Sequence, residues 1–183
     1  MTEFLDLYYR FNKTPTDPTV AKLFIAKLAE QESELEFPSF TAEDALALGL
    51  ITLSESPKGK NPDLPEVDKV VVHISVNGNL LFYSGQDGTS AGNLDWIKRK
   101  VNTVTKFGHS SLYMGAWCLA RGIDFNRMML LPESDYVGAG GGFPLRIKGV
   151  TYPVGVIAVS GLPQEDDHEL LIRSIRKYLN NKI

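Results

Sequence analysis

The chain has 183 residues, 43% of them hydrophobic, and a formal net charge of −3, enough apolar mass for one compact domain whose core needs no staples. The lack of a basic excess excludes a general nucleic-acid or anionic-membrane binder. A lone Cys118 excludes an internal disulfide framework and a thiolate zinc site within one chain.

Glu3, Asp6 and Arg10 interrupt the apolar residues at the start of the chain, which is not a secretory pattern, and no run of about 18 apolar residues could span a bilayer. The expected location is cytoplasmic. Residues 2–12 place Phe4, Leu7, Tyr8 and Phe11 on one helical face, cut off by the prolines at 15 and 18. A helix this short must dock on its own domain or on a neighbouring subunit to be ordered. Asp17-Pro18 reads as an N-cap with proline in the first turn of a helix reaching about Glu34, and Thr41 with Asp44 reads as a capping box for another. Pro57, Pro62 and Pro65 mark a long surface loop. Val70–Val76 and Leu80–Tyr83, joined by Asn77-Gly78, predict a hairpin.

Leu94, Ile97, Val101 and Val104 form a narrow apolar helical stripe, with Lys98, Arg99 and Lys100 reading as its solvated face. Gly108 ends that helix, and Ser110 or Ser111 caps the next, whose apolar residues lie on more than one face. A less regular stretch follows around Met128–Leu131. After Gly138–Gly142 come two strands, about 143–149 and 154–160, with a turn near Gly149 and a last helix whose first turn is acidic and whose end is basic. This order predicts an α+β fold: a single antiparallel sheet of four to five strands flanked by helices. The chain divides into an N-terminal helical extension, 1–35, and the main domain, 36–183.

Three histidines can be weighed singly. His73, among valines in a strand, reads as facing solvent or a satisfied core hydrogen bond. His109 stands at a helix start beside two serines, without the Gly-x-Ser-x-Gly elbow of a serine hydrolase. It fits a backbone or interface contact, or a ligand contact where donors converge. His168 closes Glu165-Asp-Asp-His, half of a carboxylate-bridged di-metal pattern whose second copy the chain lacks. The glycine run lies before a strand and lacks Gly-Lys-Ser/Thr, so it permits close backbone approach, to a ligand or a neighbouring subunit, rather than cradling a nucleotide. Cys118 reads as a buried small hydrophobe.

Trp96–Gly115 and Ser160–His168 together are similar to the paired signatures of the UPF0303 family, and Ser134-Asp-Tyr136 and Gly140-Gly-Gly-Phe-Pro144 stand where that family has its Ser-x-Tyr and Gly-Gly-x-x-Pro elements. The family belongs to the wider haem-degrading-domain, or DUF336, group, which includes haem-binding sensor proteins. The resemblance covers residues 38–180 and implies a helix-flanked antiparallel sheet assembling into rings of identical subunits; fungal members look like cytosolic decamers. It implies haem as a cofactor and leaves catalysis unassigned. The chain has no Cys-x-x-Cys-His, but His109, Tyr113 and Met114 are able to ligate haem iron. The candidate ligand contacts are His109, Ser110, Tyr113, Met114, Gly140, Gly141, Gly142 and His168. Three readings stay open. The first is a homo-oligomer binding haem or a related small molecule at a subunit interface. The second is a non-enzymatic scaffold or accessory factor with a cytosolic protein partner in protein handling or targeting. The third is a small-molecule enzyme using His109 and His168.

Overall fold

A computed structural model describes residues 2–56 and 69–182. The predicted proline loop lies outside the described residues. Helix α1 (Glu3–Lys13) starts at Thr2, whose hydroxyl accepts from Leu5 N, and buries Phe4, Tyr8 and Phe11. In α2 (Pro18–Glu34) the Asp17 carboxylate caps the amides of Thr19 and Val20. The capping box of α3 (Ala42–Glu55) is reciprocal: Thr41 N donates to Asp44 at 2.7 Å and Asp44 N donates back to Thr41 Oγ1 at 3.3 Å.

Strands β1 (Val71–Val76) and β2 (Asn79–Gly85) form the predicted hairpin. Asn77 and Gly78 both have positive φ, 49° and 80°, the twist a two-residue hairpin turn needs. Next come α4 (Ala91–Phe107), which Gly108 ends in the left-handed region, and α5 (Ser111–Leu119). The stretch read as irregular holds a short helix, α6 (Phe125–Met129), because the Asp124 carboxylate caps Asn126 N and Arg127 N. Strands β3 (Gly142–Leu145) and β4 (Gly155–Ser160) and helix α7 (Gln164–Asn181) complete the order. Beyond Leu145 the chain leaves the ladder to meet Phe37, so β3 is shorter than predicted.

The fold is α+β with one antiparallel four-stranded sheet, order β2-β1-β4-β3. Strand alternation splits its side chains between two faces. Val72, Ile74, Ile157 and Val159 pack with Leu48 of α3 and Leu171 and Ile175 of α7. Val71, Val156 and Ala158 pack with Ile97 and Val104 of α4. A separate cluster joins Phe4, Tyr8 and Phe11 to Phe24, Leu28, Leu112 and Ala116, so that α1 docks on α2 and α5 of its own chain. His73 is half-buried on the α4 side, and its Nε2 has no partner among the described residues.

Candidate ligand-binding site

Gln31 and Glu32, consecutive on the last turn of α2, are both buried, and each holds a histidine. His109 Nδ1 lies 2.7 Å from Glu32 Oε2, while Glu32 Oε1 accepts from Ser110 N at 2.7 Å. One carboxylate thereby fixes the imidazole and one amide at the start of α5. Arg146 stands 3.7 Å from the same carboxylate and donates to Gly108 O. The ring of Tyr113 stacks on His109 with centroids 4.4 Å apart and planes at 17°. The His109 side chain is 40% exposed, and its Nε2 has no partner among the described residues. A carboxylate beside Nδ1 favours a proton on that nitrogen, the arrangement common to metal-ligating histidines.

The other candidates sit elsewhere. Ser110 is buried and its hydroxyl caps α5 by accepting from Tyr113 N. Met114 packs with buried Cys118 and Phe125, and burial pushes the Cys118 thiol up to about 11. His168 is wholly enclosed, stacked on Phe4, with Nε2 2.9 Å from Gln31 Oε1 and Nδ1 without a partner among the described residues. His109 and His168 are therefore held from the same turn of α2 but do not face one cavity. Glu165 engages Tyr9 instead of sharing a site with His168.

The glycine run is stitched into its own chain. Gly140 N donates to Gln164 Oε1 and Gly142 N to Ser111 Oγ. Gly141 has φ +102°, and a Cβ there would lie 2.5 Å from Val159 O and 2.6 Å from Lys100 Nζ. Its glycine is required by this close approach. Lys100 corrects the reading of the basic triplet as a solvated face. Its side chain is 3% exposed and pairs with Asp167, 2% exposed, at 2.7 Å. Lys98 alone of the triplet stands well out, at 63%; Arg99 lies over the Trp96 ring.

Sequence reasoning missed Gln31, Glu32, Lys100 and Asp167. Gln31 and Glu32 fall three and four residues after Leu28 and so continue the apolar face of α2, a polar interruption that signals a buried partner. Lys100 falls three residues after Ile97 in the same way, on the edge of the α4 stripe.

Two buried groups give acid behaviour of opposite sign. Burial, aided by Lys100, pushes the His168 imidazole down to about 3. The unfolded chain takes up that proton first as pH falls below about 6.5, so stability falls. Burial outweighs Lys100 and pushes the Asp167 carboxyl up to about 6. Here the native state takes up the proton first, between about 6 and 4, so stability rises as pH falls through that window. The two nearly cancel in the wild type. In Asp167→Asn the histidine is left uncompensated, at about 1.4 kcal/mol per pH unit. Urea unfolding at pH 6.5 and 4.5 is expected to show the variant losing about 2 kcal/mol more than the wild type over that interval. Parallel losses would contradict these protonation states.

The family model described as "Haem degrading protein HbpS-like" matches residues 40–176. A UPF0303 protein of Azotobacter vinelandii is 37% identical over 161 residues, 87% of this chain and 91% of that protein. One from Streptomyces coelicolor is 34% identical over 165 residues, 90% and 96% of the two chains. Among solved structures, the Ybr137w protein superposes with a TM-score of 0.73 at 30% identity, over 86% of this chain and 88% of that one. The PduOC:Heme complex shares the fold at TM-score 0.58 and 15% identity, over 75% of this chain and 94% of that one. The chain belongs to the HbpS-like, UPF0303 family. No helix among the described residues is long and apolar enough to cross a membrane.

Proposed function

We propose that this protein is a cytoplasmic homo-oligomer that binds haem, with His109 presenting Nε2 to the iron at a boundary between copies. The observation that carries the reading is the His109–Glu32 pair, a partly exposed imidazole oriented by a buried carboxylate. Its donor chemistry would suit a residue holding haem iron. Bound haem would supply an iron centre and a broad apolar plane. The chain's own residues do the positioning: Glu32 holds Nδ1, Tyr113 fixes the ring plane by stacking, and Ser110 N secures the carboxylate. Because His109 is partly exposed, a second copy would be needed to enclose a ligand there. Ser110, Met114, Gly140, Gly141, Gly142 and His168 act in this reading as the frame behind His109 rather than as ligand contacts. Residues 1–35 serve as an extension that supplies the orienting carboxylate to the main domain.

The orienting role is tested by Glu32→Gln, which keeps the shape and removes the charge. Haem affinity is expected to fall about 10- to 100-fold, the usual cost of losing a partner behind a metal ligand, while the assembly elutes unchanged in size-exclusion chromatography. Unaltered affinity in an equally assembled variant would contradict the role given to this pair.

A further inference from the structure

Away from His109, Lys100 and Asp167 meet in the lining of a cavity of about 380 Å³ between the start of α4, the end of β4 and the start of α7. Lys100 Nζ donates to Val159 O at 2.8 Å and to Asp167 Oδ2 at 2.7 Å. An ammonium has three N–H groups, and the third has no partner among the described residues. Asp167 Oδ1 accepts from Leu162 N at 3.0 Å, which fixes the carboxylate. Both side chains are almost wholly buried, yet both residues belong to the lining of the cavity rather than to a sealed apolar core. Burial lowers the proton affinity of the amine and raises that of the carboxyl, which favours proton transfer from one to the other.

The walls suit a small carbonyl compound. Asn93 Oδ1 accepts from Ser90 N, which leaves its NH₂ group as a donor for a carbonyl or hydroxyl oxygen, while Gln164 accepts from Gly140 N and also hydrogen-bonds Tyr8. Trp96, with Arg99 stacked 3.8 Å from its ring centroid, provides a flat apolar side. We propose that Lys100 is an imine-forming lysine and that this cavity admits a small aldehyde or ketone. Asp167 takes one proton from the ammonium, and the freed lone pair attacks the carbonyl carbon to form the C–N bond. The C=O π pair moves to oxygen, which receives that proton from Asp167. A second proton travels the same way from nitrogen to the carbinolamine hydroxyl; water leaves as the C=N bond forms. Ammonium and carbonyl thus give a protonated imine and one water with no redox change, and Asp167 ends ionised beside the new cation.

The test uses the full-length protein with pyruvate, a charged ketone, or benzaldehyde, an uncharged aromatic aldehyde, trapped with cyanoborohydride near neutral pH and mapped by peptide mass spectrometry. Lys98, two residues away and largely exposed, is the internal control. Lys100 is expected to carry the reduced adduct of at least one probe at about tenfold higher occupancy than Lys98, as an activated lysine should, and to fall to the Lys98 level in Asp167→Asn. Labelling of Lys98 with Lys100 unmodified by both probes would overturn the proposal. The wild-type map decides even if the variant does not fold, and haem binding by the same preparation has no bearing on the result.

Discussion

Lys100→Met is expected to lower the free energy of unfolding by about 3–5 kcal/mol, the cost of leaving one buried charge without its partner. The side chain spans from α4 to the carbonyl of Val159 in β4 and to Asp167 in α7. Its removal strands a carboxylate that is 2% exposed and is then held only by backbone amides of the turn before α7. The double variant Lys100→Met/Asp167→Leu removes both charges and is expected to recover most of the loss, because a buried ion pair is worth little against well-packed apolar groups of similar size. Urea unfolding of the three chains measures the coupling directly. A single-variant loss below about 1 kcal/mol, the range of exposed pairs, would contradict the weight given to the pair.

The second large effect concerns two glycines with opposite outcomes. Both lie in helices, where alanine is intrinsically better by about 1 kcal/mol. A Cβ on Gly115 in α5 would sit 1.8 Å from the carbonyl oxygen of Gly138, and neither backbone can yield without moving the glycine run off α5. A Cβ on Gly92 in the first turn of α4 meets nothing nearer than Ser90 Oγ at 3.4 Å. Gly115→Ala is therefore expected to destabilise by about 3 kcal/mol, as overpacking against fixed backbone does, while Gly92→Ala stabilises by up to about 1 kcal/mol. Thermal unfolding of the pair should move in opposite directions. A stabilised Gly115→Ala would show that α5 and the glycine run do not touch.

Most of the framework was legible because its signals are local. The Asp17 and Thr41 caps, the Asn77-Gly78 turn, the Gly108 terminator and the apolar stripe of α4 each act within a few residues. Helix α6 escaped notice because five residues carry too little periodicity, although Asp124 marks its start. The site was legible only in part. His109 and Tyr113 lie one helical turn apart and could be paired by eye, but the carboxylate that orients them comes from a residue 77 positions earlier. His168 looked available because its acidic neighbours suggest an exposed first turn; α1 lays Phe4 over it, and that contact spans nearly the whole chain. Glycines 140–142 looked like a ligand loop, and the observed close approach is to α4, α5 and α7 of the same chain. Lys100 and Asp167 lie 67 residues apart, so in the sequence each reads as part of a charged surface run.

The central claim is that His109 ligates haem iron. Its most direct measurement is a titration of the assembled protein with ferric haem, followed by absorbance, beside a His109→Ala variant shown by size-exclusion chromatography to assemble equally. A saturable Soret shift in the wild type, absent from the variant, is the expected result. An unshifted wild-type spectrum, or the same saturable shift in both proteins, would contradict it.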